Sequence, residues 1–127
     1  RRLQGRILVV EDDWGSQRVV EIFLRKFGLE TVIVDNGAEG IELGVREGWD
    51  AVLMDIQMPG IDGFEAVRRI RRRTGGRWLP IIAITANVRV EDRKAAEASG
   101  MDDFITKPIR QSELRESLER WLQGAPR

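Results

Sequence analysis

Five short β-branched and aliphatic runs, each breaking off at a polar side chain and each followed by a stretch of helical periodicity, restrict this chain more than any other feature. The runs are Arg6–Val10, Thr31–Val34, Ala51–Met54, Pro80–Ile84 and Asp103–Thr106. Between the first two, Val20, Phe23, Leu24 and Phe27 recur at helical spacing until Gly28, a glycine placed to close the helix. Asn36 with Glu39, and Asp62 with Glu65, place a capping side chain three residues before an acid. The first pair opens a helix expected to reach about Glu47, which Gly44 should weaken. The second opens one carrying Phe64, Val67 and Ile70. Val88 to Ser99 contains Ala95, Ala96 and Ala98 but few large apolar groups, so this helix should be the least firmly docked. Leu114, Leu118, Trp121 and Leu122 lie on one side of the last helix. Strands joined through helices run parallel, and each helix must bury its apolar stripe, so the pattern predicts an α/β sandwich with helices on both faces.

Composition narrows the chemistry. The 127 residues contain 21 lysines and arginines against 21 aspartates and glutamates, so no overall basic field recommends nucleic acid or an anionic membrane. There is no cysteine and no histidine, which excludes thiolate chemistry, a Ser-His-Asp triad, a histidine metal site and a histidine phosphocarrier within this chain. No apolar run approaches the roughly 20 residues of a membrane span. The expectation is one domain over residues 1–127, with its core at about 5–123, working in the cytoplasm. The start without methionine and the end Gln123-Gly-Ala-Pro-Arg127 fit a piece of a longer polypeptide. Six arginines between Arg68 and Arg77 read either as an acidic partner's site or, more commonly, as a solvated helix end complementing the dipole.

In an open parallel sheet the functional crevice lies beyond the carboxyl ends of the strands. The residues there are Glu11, Asp12, Asp55, Thr85 and Lys107. Taken singly, each has a plain alternative: Asp55 as a turn residue before Pro59-Gly60, Asp12 or Asp13 as a helix cap, Thr85 as a strand-end hydroxyl, Lys107 as a surface lysine. Capping is the better reading for Asp13. Carboxylates gathered at one rim repel, so either one stays protonated or a cation joins them. Hard oxygen donors without histidine or cysteine select magnesium, calcium or manganese, and few ligands at an open edge favour magnesium. With Lys107 as a second positive group and Thr85 as a donor, the rim suits a phosphoryl group.

Together, Ile7-Leu-Val-Val-Glu11-Asp12, Leu53-Met-Asp55-Ile-Gln-Met-Pro59-Gly60 with Asp62-Gly63, Ile84-Thr85-Ala86 and Lys107-Pro108 resemble the receiver domain of two-component response regulators over nearly the whole chain. The resemblance implies a flavodoxin-like (βα)5 fold with a five-stranded parallel sheet of order 2-1-3-4-5. It implies that Asp55 is the phosphorylated nucleophile and that Asp12, Asp55 and the Gln57 carbonyl bind Mg2+, with Glu11 holding a metal-bound water. Lys107 would pair with the acyl phosphate, Thr85 would bond one of its oxygens, and Phe104 would swing inward as the partner of Thr85 in the switch of the helix 4, strand 5, helix 5 surface. The partner implied is a histidine kinase or histidine phosphotransfer protein, with no direct nucleic acid and no membrane contact by this domain. A homodimer, and a covalently attached kinase or output domain, are further arrangements it allows. Met54-Asp-Ile-Gln-Met-Pro59 and Gly100-Met-Asp-Asp-Phe104 resemble receivers of hybrid kinases and phosphorelays. Such a domain catalyses only its own phosphorylation and dephosphorylation. Two other classes fare worse. An aspartyl hydrolase calls for an acid two positions after Asp55, where Gln57 stands, and a flavin carrier needs a phosphate cradle where Glu11-Asp12-Asp13 would repel phosphate.

Overall fold

The computed structural model describes residues 1–86 and 89–123. Asn87, read from sequence as part of the fourth strand's end, and Val88, read as a helix start, lie outside them. The elements are β1 (Arg6–Val10), α1 (Trp14–Phe27), β2 (Glu30–Val34), α2 (Gly37–Gly44), β3 (Ala51–Asp55), α3 (Gly63–Thr74), β4 (Ile81–Thr85), α4 (Val90–Ser99), β5 (Asp103–Thr106) and α5 (Gln111–Leu122). All four pairings are parallel and the sheet order is β2-β1-β3-β4-β5, as the resemblance implied.

Every residue of β3 and β4 is buried, which is why these runs are continuously apolar rather than alternating. The two sheet faces build separate cores. Ile7, Val9, Leu53, Ile82 and Ile84 face α1 and α5 through Val20, Leu24, Phe27, Leu114 and Leu118. Leu8, Val10, Val52, Met54, Ile81 and Ala83 face the other way, onto Ile41 of α2, Val67 and Ile70 of α3 and Ala96 of α4.

The caps read from sequence form. Asp13 accepts from the Ser16 amide at 2.8 Å, Asn36 from Glu39 at 2.9 Å and Asp62 from Glu65 at 2.9 Å. Only the Asn36 pair is reciprocal, with Asn36 Nδ2 donating to Glu39 at 2.9 Å, because Glu65 is drawn away by Arg68 and Arg69. Helix α2 stops at Gly44, one turn short of the expected end. A Cβ on that glycine would stand 2.8 Å from Ile70 Cδ1, so its smallness lets α2 lie close to α3. The arginine run is only partly a solvated helix end. Arg71 donates to the Leu79 and Gly100 carbonyls and to Asp102, at 2.7 to 3.0 Å, and Arg77 to the carbonyls of Val45 and Arg46. As expected, α4 is thinly anchored, burying only Ala96 and Ser99.

Candidate functional site: an acidic crevice at the sheet rim

Strands β1 and β3 are neighbours, with Val10 opposite Met54, so the residues following them emerge side by side at the carboxyl rim. The Glu11 amide continues the ladder to the Val34 carbonyl at 3.0 Å, and the Glu11 side chain is fully buried. Its loop is braced by Gln17 Nε2, which donates to the Glu11 carbonyl at 2.6 Å, and by the Asp13 amide, which donates to Glu11 Oε2 at 3.0 Å. Asp12 is left exposed between a buried acid and a helix cap. The three successive acids therefore occupy three different environments.

Asp55 is the last residue of β3 and only 2% exposed. Its Oδ1 accepts from the Gln57 amide at 3.1 Å. The turn beyond it folds back closely: the Gly63 amide donates to the Ile56 carbonyl at 3.0 Å, and a Cβ at Gly63 would fall 2.3 Å from the Asp55 carbonyl oxygen. Any side chain there would push the start of α3 away from the strand end that carries Asp55.

One carboxylate oxygen from each of Glu11, Asp12 and Asp55 lies within 4.8 Å of the others. Lys107 reaches the same point from β5. Its amide donates to the Thr85 carbonyl at 2.7 Å, and its Nζ stands 2.8 Å from Glu11 Oε1 and 3.5 Å from Asp55 Oδ2. The contact with Glu11 is a close ion pair, so the Lys107 ammonium neutralises the fully buried Glu11 first and Asp55 less directly. The peptide between Lys107 and Pro108 is cis. Thr85, 1% exposed, ends β4 one residue past Ile84, the register partner of Asp55.

Burial, reinforced by the adjacent Glu11 carboxyl, pushes the Asp55 carboxyl up to about 8, against the opposing pull of Lys107 and the Gln57 amide. Burial pulls Lys107 down, but Glu11 and Asp55 outweigh it and hold the ammonium above its ordinary value. The crevice thus binds acids more closely than one ammonium neutralises. The donor set, three converging carboxylates with no nitrogen or sulfur ligand among them, fits a small hard divalent cation.

Of the residues read from sequence, Glu11, Asp12, Asp55 and Lys107 meet at this rim, and Thr85 borders it. Gln57 is exposed and contributes its amide to Asp55. Phe104 is not at the rim. It lies two pairs back along β5 from the Thr85–Thr106 pair, opposite Ala83. Sequence reading missed Gln17 and the Gln57 amide, whose contacts depend on loop paths that spacing does not encode.

The rim defines a class of protein, and the chain belongs to it: residues 7–119 match the response regulator receiver domain family, and the chain is a receiver domain of two-component signalling. The curated sensor histidine kinase GacS of Pseudomonas protegens is 36% identical over 119 residues, covering 91% of this chain. The chain spans only 13% of the length of that kinase. The solved receiver domain of the sensor histidine kinase PA1611 from Pseudomonas aeruginosa is 38% identical, with a TM-score of 0.88 over 96% of this chain and all (100%) of that one, and has a magnesium ion coordinated in its active site cleft. A co-crystal structure from Saccharomyces cerevisiae, of the histidine phosphotransfer protein Ypd1 with the receiver domain of Ssk1, matches at 27% identity and a TM-score of 0.85, covering 95% of this chain and 90% of that chain.

Proposed function

We propose that Asp55 is the phosphoacceptor of this receiver, taking a phosphoryl group from a phosphohistidine on a partner kinase or phosphotransfer protein. The observation that carries the reading is the convergence of Glu11, Asp12, Asp55 and Lys107, four charged groups from β1, β3 and β5, at one rim. An Asp55 carboxylate oxygen attacks phosphorus as the P–N bond to the donor imidazole breaks, leaving an aspartyl phosphate and the freed imidazole. Glu11, Asp12, Asp55 and the Gln57 carbonyl would hold Mg2+, which when bound neutralises the acids and the incoming phosphoryl oxygens. The Lys107 ammonium neutralises charge on the aspartyl phosphate, and the Thr85 hydroxyl donates to one of its oxygens. Hydrolysis of that bond by water returns the domain to its starting state, and no other substrate is turned over.

Trp14, Val19 and Ile22 make an exposed apolar stripe on α1 beside the crevice, continued by a cleft of about 380 Å3 bordered by Val19, Pro108 and Ile109. A helical phosphohistidine donor would dock on this stripe. The similarity to the receiver part of sensor kinases supports a place within a hybrid kinase or phosphorelay.

Incubation with acetyl phosphate and magnesium, followed by intact-mass measurement, tests the reading. The parent should gain the mass of one phosphoryl group, and Asp55→Asn should gain none. Labelling of the variant to the same extent would overturn it.

A further inference from the structure

Phe104 is placed between the crevice and the weakest helix. It pairs with Ala83, and Thr85 lies two residues beyond Ala83 on the same face of β4, so ring and hydroxyl share the sheet face that α4 covers. Packing does not lock the ring. Phe104 is half-buried, and it borders both a cleft of about 300 Å3, shared with Ala96 and Met101, and a smaller one of about 160 Å3 toward α5. From α4, the Arg93 guanidinium lies over the ring, 4.8 Å from its centroid. The two ends of α4 are held unequally. Its carboxyl end is fixed through Gly100, whose carbonyl takes two bonds from Arg71 at 2.8 and 3.0 Å, while its first residue follows Arg89, which makes no side-chain cap. Arg93 lies in the first half of the helix, and the described contacts offer little else to hold that half to the sheet.

We infer that Arg93 is a latch: its guanidinium on Phe104 holds α4 against β5 in the unphosphorylated arrangement and so opposes occupation of the crevice. The inference rests on the phosphoacceptor reading of Asp55. Two states that differ in this contact are linked to binding at the rim, so removing the contact makes the competent state less costly to reach. An exposed cation–aromatic contact corresponds to roughly a two- to five-fold effect on that equilibrium.

The test is calorimetric titration of beryllofluoride with magnesium into the parent, Arg93→Ala, Phe104→Leu and the double variant, with thermal unfolding confirming that each is folded. The expected result is binding tightened roughly two- to five-fold by Arg93→Ala in the parent and unchanged by it in the Phe104→Leu background. An unchanged affinity in Arg93→Ala, or an equal change in both backgrounds, overturns the latch, since the latter marks a general charge effect. Failure of the parent itself to bind would count against the phosphoacceptor reading, which separates the two claims.

Discussion

Asp55 is a carboxyl that the fold destabilises in its charged form, and the consequence is a pH dependence of definite sign. In the unfolded chain it titrates near 3.8 and in the folded one near 8, so between these values the native state keeps a proton that the unfolded state has released. Stability contributed by this group therefore falls as pH rises across that window. Asp55→Asn cannot ionise. In the presence of a chelator it should be more stable than the parent by on the order of a few kcal/mol at pH 8, with the gain shrinking toward pH 4, measured by urea unfolding. A gain that grew toward low pH would refute the sign. Magnesium should raise the parent's Tm, because a ligand of the native state alone stabilises it, and Asp12→Ala should lose most of that rise. The separate roles of Glu11, Asp12 and Asp13 were partly legible in advance. The capping role of Asp13 follows from its place before a helix, whereas the complete burial of Glu11 depends on how Lys107 arrives from a strand almost a hundred residues later.

At the level of elements, the joints that sequence reading did not anticipate are single polar side chains that tie two or more segments. Asp103 opens β5, and its Oδ2 accepts from Ser117 at 2.7 Å, Trp121 at 2.9 Å and Arg120 at 3.0 Å, binding the strand to α5. Burial works against its charge, but these bonds and the Phe104 amide outweigh burial and hold its carboxyl below the ordinary value. Its stabilisation is present above the ordinary carboxylate range and lost as pH falls through the lowered value. Asp103→Ala should cost about 2 kcal/mol near neutral pH by leaving the buried Ser117 hydroxyl and the half-buried Trp121 indole unpaired, and the gap to the parent should narrow when unfolding is measured below the ordinary carboxylate range. Gly63→Ala should cost about 3 kcal/mol, because its methyl group would meet the Asp55 backbone and has no flexible neighbour to displace. Neither Asp103 nor Arg71 belongs to a local pattern. Each is one of many charged residues until the sheet order brings its partners within reach. The Gly44 reading was incomplete for the same reason: helix propensity registers the cost, and α2 does end there, while the close approach to Ile70 that its smallness allows lies outside any local pattern.

For the whole molecule, the five-fold alternation was enough to predict layers and strand direction, since buried parallel strands leave a continuous apolar signature. The strand order was not in the periodicity and came from the strand-end motifs. Stability should be uneven across these layers. Amides of α4, which buries only Ala96 and Ser99, should exchange with deuterium faster than those of β3 and β4, and uniform protection would count against a loosely held helix. The four tryptophans divide along the same axis. Trp49, pinned by Arg6 and the Leu43 carbonyl, and the Trp78–Trp121 pair, with centroids 6.1 Å apart, sit toward the edge where the strands begin. Trp14 stands alone at the rim, 73% exposed. Exchanging the other three for phenylalanine would leave a chain whose ultraviolet emission reports from the crevice mouth, so that arrival of a cation, a phosphoryl mimic or a docking helix could be followed in real time without any dye.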